Sequence, residues 1–510
     1  MYSSMLSAVV QGLEVTIICV EMDVSNGLPS FQIVGSASTE VKESGERVRT
    51  AIKNLGYQLP AKKVIGNLTP ANIRKGGVGF DLSIAMSMLA AYGMVNGDKI
   101  KNVLALGEVG LDGSIHGVKG VLPIVSYGKK QGVTEFILPK KNAKEGAMIE
   151  GVRIYGADNL EEVIKHFSGM PIPQEEKQDF FLERLNERVL ELDYNQVQGQ
   201  EHVKRAIEIA VGGQHNLAMI GAPGSGKSMM AKRIPTIQPN LTLEESMELA
   251  QIYSIVGMLE AEQPFMYQRP FRNVHHTITK TALVGGGNVV KPGELSLANG
   301  GVLFLDELTE FNKGVLESLR QPLEDKKIQI TRSKGSFEFP ANIMLVAAMN
   351  PCPCGNYPDM NRCSCTDFEI NRYLSKISQP LLDRIDICVE VPRVEYKVLK
   401  KKDNGLSSAT MKEKVLIARK RQEERFRGST ILANEGIPTP LIEKYCKLNA
   451  DCEALMQLAY SKMNLTARTY YKVLKVARTI ADMEDMNEIN ENHIREALGY
   501  RMIDKKYWGR

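Results

Sequence analysis

The stretch GAPGSGKS, Gly221 to Ser228, fits the pattern G-x-x-x-x-G-K-[ST]. In that pattern glycines let backbone N–H groups wrap phosphates, the lysine reaches the β and γ oxygens, and the hydroxyl can ligate magnesium. Gly221, Ala222, Pro223, Gly224, Ser225 and Gly226 would form the cradle, and Lys227 and Ser228 would be its two ligating side chains. The apolar run Leu217–Ile220 before it and MMAKRI after it supply the strand-then-helix context that separates such a loop from a chance match. Downstream, VLFLDE (Val302 to Glu307) reads as a buried strand delivering two carboxylates to its open end. Asp306 would complete the magnesium shell and Glu307 would polarise an attacking water. A third apolar run, IMLVAAMN, ends in Asn350, suited to orient water or sense a γ-phosphate. These residue types point to hydrolysis of a nucleoside triphosphate, with ATP and Mg2+ as the ligands.

At about 150 residues per domain, 510 residues suggest roughly three domains. With 43% hydrophobic and 24% charged residues, the chain has the profile of a soluble globular protein rather than a disordered or fibrous one. No run of 18 apolar residues occurs, and MYSSMLSAVVQGLEV lacks the marks of a signal peptide, so a cytoplasmic protein with no membrane partner is expected. The net charge of +4 is uneven: Tyr396–Arg427 holds eleven Lys or Arg against four Asp or Glu. A solvated helix face is the expected use of that run, with phosphate contact as the alternative.

Residues 1–170 alternate short apolar runs (VTIICVEMDV, KVIGNLTP) with helical segments (Ser38–Asn54, Leu82–Tyr92), a mixed α/β domain. SGMPIPQEEKQD begins a linker, 171–192, ending in a helix before DYNQVQGQ. Residues 193–395 alternate strands and helices as a parallel sheet requires, and 396–510 read as a helical bundle or lid.

Phosphate loop, acidic strand end, polar sensor, QPLLDRIDICVEVP and helical lid, in that order, resemble the AAA+ ATPases. The resemblance implies a P-loop NTPase core with a helical lid, an arginine finger at Arg384 in LLDRID and a second sensor at Arg468. A finger that completes a neighbour's site implies a homo-oligomeric ring. Two insertions, Arg269–Gly301 and the hairpin-like Glu324–Ile343, resemble those of the magnesium-chelatase and minichromosome-maintenance branch, where they project toward a central channel. Lys326, Lys327, Arg332 and Lys334, with a flexible Gly285–Gly287 loop, could grip a phosphate backbone, although a solvated hairpin tip would look the same.

Over its whole length the chain resembles the YifB/ComM family of magnesium-chelatase-like ATPases, through GLPSFQIVG, VKESGERVRTAIKN, HHTITKTALVGGG, LFLDEL, NPCPCG and LLDRID. That resemblance implies a hexameric ring that migrates branched DNA during natural transformation, with single-stranded or branched DNA as partner. Metal insertion and protein remodelling are the competing activities. The segments KGGVGFDLSIAMSMLAA and Gly107–Glu145 are similar to the proteolytic domain of Lon, an S5 domain 2-like α+β fold. A Lon-type protease needs a serine activated by a lysine. Gly79 or Phe80 stands at the serine position and Leu122 at the lysine position, with Ser83 on the following helix and Lys119 three residues off, so a fold without its proteolysis is expected.

Cys352, Cys354, Cys363 and Cys365 form C-x-C-x8-C-x-C, enough soft ligands for one tetrahedral zinc, a pattern that plain reduced thiols also satisfy. Lying between Asn350 and Arg384, a clip there would shape the approach to the subunit interface and leave no open position for catalysis. His275 and His276 are adjacent and, on a strand, would face opposite ways, against a joint metal site. Cys19, Cys388, Cys446 and Cys452 are expected to be small core residues.

Overall fold

The computed structural model describes residues 1–77, 79–177, 192–260, 264–287, 289–332, 335–394, 396 and 405–508, with 504 and 505 by backbone alone. The helix expected within 179–193, the candidate DNA contact Lys334 and residues 397–404 of the basic run lie outside them.

Two sheets carry the chain. The first has seven strands in the order Ser30–Val34, Lys63–Thr69, Glu14–Ser25, Tyr2–Gln11, Val103–Ala105, Glu135–Pro139 and Arg153–Ala157. Its neighbours are partly antiparallel and partly parallel. The opening hairpin turns at Gly12, and helices Thr39–Asn54 and Asp81–Ala91 cover one face. After Asp81, whose buried carboxylate is paired with Arg47 (2.9 Å), DLSIAMSMLAA is apolar or small all round, and every one of its eleven residues is buried, as expected of a helix enclosed by its surroundings.

The second sheet is wholly parallel, in the order Phe271–Val274, Val302–Leu305, Met344–Met349, Leu217–Ile220 and Ile387–Glu390. Covered on both faces, its strands VLFL, MLVAAM and LAMI are continuous apolar runs, buried at every residue. Helices Ser408–Arg425, Thr439–Tyr445, Ala450–Lys462, Ala467–Met483 and Glu491–Trp508 share a core with one face of this sheet and the helix Glu201–Gly213. The last helix reaches Trp508 because its end packs back on the core. Tyr507 Oη donates to Glu390 at 2.5 Å and Trp508 Nε1 to the Leu374 carbonyl at 3.3 Å. This is a mixed α/β protein with a P-loop NTPase core of AAA+ type and a helical lid.

The basic run is not simply a solvated face. Lys414 pairs with the buried Glu208 (3.3 Å), Arg421 with Asp485 and Arg425 with Asp482, so three of its cations fasten this helix to its lid neighbours and to the helix Glu201–Gly213. The first sheet's region docks on the second at helix Leu243–Val256. The Gly120 N–H donates to the Ser254 carbonyl (3.0 Å), and Ser254 Oγ donates to Glu145 (2.5 Å), which also accepts from the Leu122 N–H (3.0 Å). Burial holds the Glu145 carboxyl above the usual range. The Gly12 turn abuts the ring of Phe337. Among the described residues no helix is long and apolar enough to cross a membrane.

Candidate nucleotide site

Because the five strands are parallel, their C-terminal ends share one edge, and Ile220, Leu305 and Met349 lead directly into Gly221, Asp306 and Asn350. Register does the rest: Ile220 lies opposite Met349, and Leu305 opposite Ala347. Gly224 (φ 75°) and Gly226 (φ 93°) hold the left-handed backbone that turns the loop, a conformation costing other residues roughly 1–2 kcal/mol. Lys227 is 8% exposed, and its ammonium donates to the carbonyls of Gly221 (2.7 Å) and Ala222 (3.0 Å) and to Asn350 Oδ1 (3.2 Å). Burial lowers its pKa, while Asp306 and Glu307 push it back up. Ser228 Oγ donates to Asp306 Oδ2 at 2.6 Å, so a hydroxyl and a carboxylate, hard oxygen ligands suited to magnesium, already meet. The hydroxyl of Ser225 is buried in the loop without a hydrogen-bond partner.

Glu307 leaves the strand in a left-handed conformation, φ 54°, with its N–H on Asp306 Oδ1 (3.0 Å) and its side chain 60% exposed. His276 Nδ1 stands 3.5 Å from Glu307 Oε2, a neighbour not expected from the sequence. The two histidines do not face opposite ways: their ring centroids are 4.1 Å apart. The strand ends at Val274, so its alternation no longer governs them. The signal for His276 was the length of that strand: Val274 lies opposite Leu305, so two further residues bring His276 level with Glu307.

Arg384 and Arg468 stand elsewhere. The Arg384 carbonyl accepts from Asn216 Nδ2 (2.9 Å), and Asn216 precedes the phosphate-loop strand. Arg384 is therefore at the N-terminal edge of the sheet, separated from the cradle by a four-residue strand, about 13 Å at 3.3 Å per residue. Its guanidinium pairs with Glu324 and donates to the Pro380 carbonyl (2.9 Å), and Arg468 approaches the same Glu324 at 3.6 Å. A cleft of about 300 Å³ lies there, lined by Glu317, Arg320, Gln321, Glu324, Asp325 and Arg384. This edge is locked by Asp386, which accepts from Lys472 (2.8 Å) and the Asn216 N–H (2.9 Å), with His215 Nδ1 at 3.9 Å. Burial opposes the Asp386 charge, but Lys472 and His215 hold its pKa down to about 2, and burial lowers His215 to about 4.

The second insertion is a hairpin, Lys327–Arg332 with Gly335–Pro340, whose inner face is Ile328, Ile330, Phe337 and Phe339. Two of its candidate phosphate contacts are already engaged. Lys326, at the base, pairs with Glu435 of the lid region (3.0 Å), and Lys327 reaches diagonally across the hairpin to Glu338 (2.9 Å), which lies opposite Gln329. Arg332 is exposed near the tip. Gly285–Gly287 is not a loose loop: Gly285 and Gly286 pair with Lys291 and Pro292, and a Cβ on Gly285 would lie 2.6 Å from the Lys291 carbonyl oxygen.

The four thiols converge, all sulfurs within 4.8 Å of one another. Cys352 is 3.4 Å from Cys354 and 3.8 Å from Cys363, and Cys354 and Cys363 are 3.6 Å apart. Cys388, Cys446 and Cys452 are buried as expected, and Cys19 is half-buried. In the first sheet's region, Ser83 is fully buried and donates to the Phe80 carbonyl (2.8 Å), while Leu122 is buried and Lys119 lies against Gly257 on the docking surface.

Three family models match in tandem: subunit ChlI of Mg-chelatase over residues 20–142, magnesium chelatase, subunit ChlI, over 193–399, and its C-terminal part over 405–501. The chain is 40% identical to the competence protein ComM of Haemophilus influenzae, covering 96% of each chain. It is also 40% identical to YifB of Escherichia coli, over 97% of this chain and 96% of that protein. A distant match, 20% identical over 63% of this chain and 38% of the relative, is to DNA replication licensing factor Mcm6 of Anopheles gambiae.

Proposed function

This chain belongs to the YifB/ComM family of magnesium-chelatase-like proteins, and from that premise we propose that it is an ATP-hydrolysing ring motor acting on DNA as a helicase or branch-migration factor. One observation carries the reading: Lys227, Ser228, Asp306, Glu307 and Asn350 gather at one edge of the sheet while Arg384 occupies the other. A subunit so built holds and primes the nucleotide but cannot reach it with its own arginine, so the working site lies between neighbours in a closed, hexameric homo-oligomer.

In this reading the cradle and Lys227 bind the phosphates, Ser228 and Asp306 hold Mg2+, and Glu307 takes a proton from water held near Asn350. When bound, Mg2+ neutralises charge on the β- and γ-phosphates. Arg384 and Arg468, released from Glu324, stabilise the γ-phosphoryl charge of the adjoining subunit. Arg332 touches the DNA backbone, joined by Lys334, which lies outside the described residues, Lys326 and Lys327 being bound to Glu435 and Glu338. Residues 1–170 form a Lon-like domain without proteolysis, since Ser83 is turned onto a backbone carbonyl, and a docking or DNA-guiding role suits it. The four thiols take a structural zinc.

The test is unwinding of a labelled three- or four-strand junction with ATP, together with ATPase stimulation by forked DNA. Absence of both at low salt overturns the DNA reading. The family models bear the name of magnesium chelatase, which favours metal insertion as the second reading. Turnover indifferent to DNA but raised by a porphyrin-bearing protein would select it.

A further inference from the structure

The thiol loop leans on the phosphate loop. Gly355, between the two cysteine pairs, lies so close to Pro223 that a Cβ on it would be 2.2 Å from the proline Cδ and 2.8 Å from its Cγ. Its φ of 76° is left-handed as well. Upstream, Cys352 follows Asn350 by two residues, and the Gly221 N–H donates to the Met349 carbonyl at 3.1 Å. One loop thus touches the cradle in its middle and adjoins the sensor at its root. Its composition, NPCPCGNYPDMNRCSC, is short of large apolar residues: Cys352 and Tyr357 anchor its first half on the core, Tyr357 meeting Tyr507 edge-on, and the rest of the loop has few apolar side chains to hold it.

The sulfur geometry fits a metal. Four thiolates at 2.3 Å from zinc stand about 3.8 Å apart in a tetrahedron; the observed separations of 3.4, 3.6 and 3.8 Å lie at or a little below that edge, and Cys365 Sγ is within 4.8 Å of the other three. A disulfide needs about 2.05 Å. N–H groups of the kind that damp thiolate charge are present: the Tyr357 N–H is 3.4 Å from Cys352 Sγ and the Asn356 amide 3.8 Å from Cys354 Sγ. Arg393 donates to Asn356 Oδ1 at 3.1 Å.

We infer that a zinc ion on Cys352, Cys354, Cys363 and Cys365 makes this loop a rigid brace for Pro223, so that metal occupancy sets nucleotide affinity. The inference rests on the reading of Gly221–Ser228 as the ATP cradle. Loading zinc displaces four thiol protons and involves no redox step.

The experiment measures zinc content and the Kd for a fluorescent non-hydrolysable ATP analogue on the full chain, at constant Mg2+. Expected are about one zinc per chain, a roughly tenfold weaker Kd after stripping with a zinc-selective chelator, and recovery on adding zinc back. The Cys363→Ser/Cys365→Ser variant should lose the metal and show the same weakening. Gly355→Ala should keep its zinc yet bind nucleotide about tenfold more weakly, a result that does not depend on the thiol variant folding. Protein that holds no zinc even when supplemented overturns the inference. So does a Kd unmoved by stripping or by Gly355→Ala. A zinc-loaded wild type that binds no nucleotide refutes the cradle reading instead, and the brace with it.

Discussion

The two ends of the five-stranded sheet treat their cations in opposite ways. At the C-terminal edge Lys227 is 8% exposed and held by three oxygens of its own subunit, beside acids that its strands deliver. At the N-terminal edge Arg384 and Arg468 share the single carboxylate of Glu324, whose side chain is 55% exposed, as is nearly half of Arg468. One end is finished within the chain, and at the other a pair of arginines beside the locked Asp386–Lys472 network shares one exposed acid at the rim of a cleft. A buried cation bonded three times marks a preformed pocket, whereas the half-exposed Arg468 can leave its exposed acid at little cost, since such surface pairs contribute about 0–1 kcal/mol, and Arg384, 14% exposed, keeps besides that acid the Pro380 carbonyl.

The sharpest way to break that contrast is Lys227→Ala, which should weaken ATP binding at least about 100-fold and bring turnover to background, because it removes the cradle's charge. Normal ATPase in this variant would mean that the loop is misread. Arg384→Ala should cost turnover about 10³-fold while leaving nucleotide affinity within about twofold, as suits a group from a neighbour. Mixing it with Glu307→Gln should restore part of the rate, since some interfaces then pair an intact acid with an intact arginine. Hydrolysis unaltered in Arg384→Ala would strip it of the finger role. Arg468→Ala, half-exposed and sharing the same acid, should lose about tenfold, the kinetic equivalent of one charge-assisted hydrogen bond.

The smallest effect concerns the lock that holds the arginine edge together. His215 is buried neutral with its pKa lowered to about 4. The unfolded chain therefore takes up its proton first, near pH 6.5, and stability falls as pH drops from about 6.5 to 4, by about 2–3 kcal/mol. Urea midpoints at pH 7, 5.5 and 4 should follow that slope, and His215→Gln should flatten most of it. A slope that survives the substitution would assign the titration to another group.

Much of the nucleotide edge was legible because each functional residue directly follows a four- or six-residue apolar run, and parallel strands must end together. The helical stretch ARTYYKVLKVARTIADM coincides with the helix Ala467–Met483, its apolar spacing matching the face it buries. What could not be read were partners far apart in sequence. Lys326 looked like a free cation because Glu435 lies more than a hundred residues on, and Glu324 gave no sign that it would gather two arginines. His276 was hidden by the assumption that its strand continued, and the Gly285–Gly287 glycines looked flexible where close backbone approach demands them.

The Gly12 turn packed on Phe337 ties the Lys327–Pro340 hairpin to the first sheet's region and shortens the part of it that stands free. Pinned at the Ile330–Phe337 pair, only the pairs Thr331–Ser336 and Arg332–Gly335 project further among the described residues, an arm of about 7 Å at 3.3 Å per residue. Under the proposed motor, a hairpin movement longer than that arm requires the turn to let go of the ring on every cycle, which would make the N-terminal region a moving part as well.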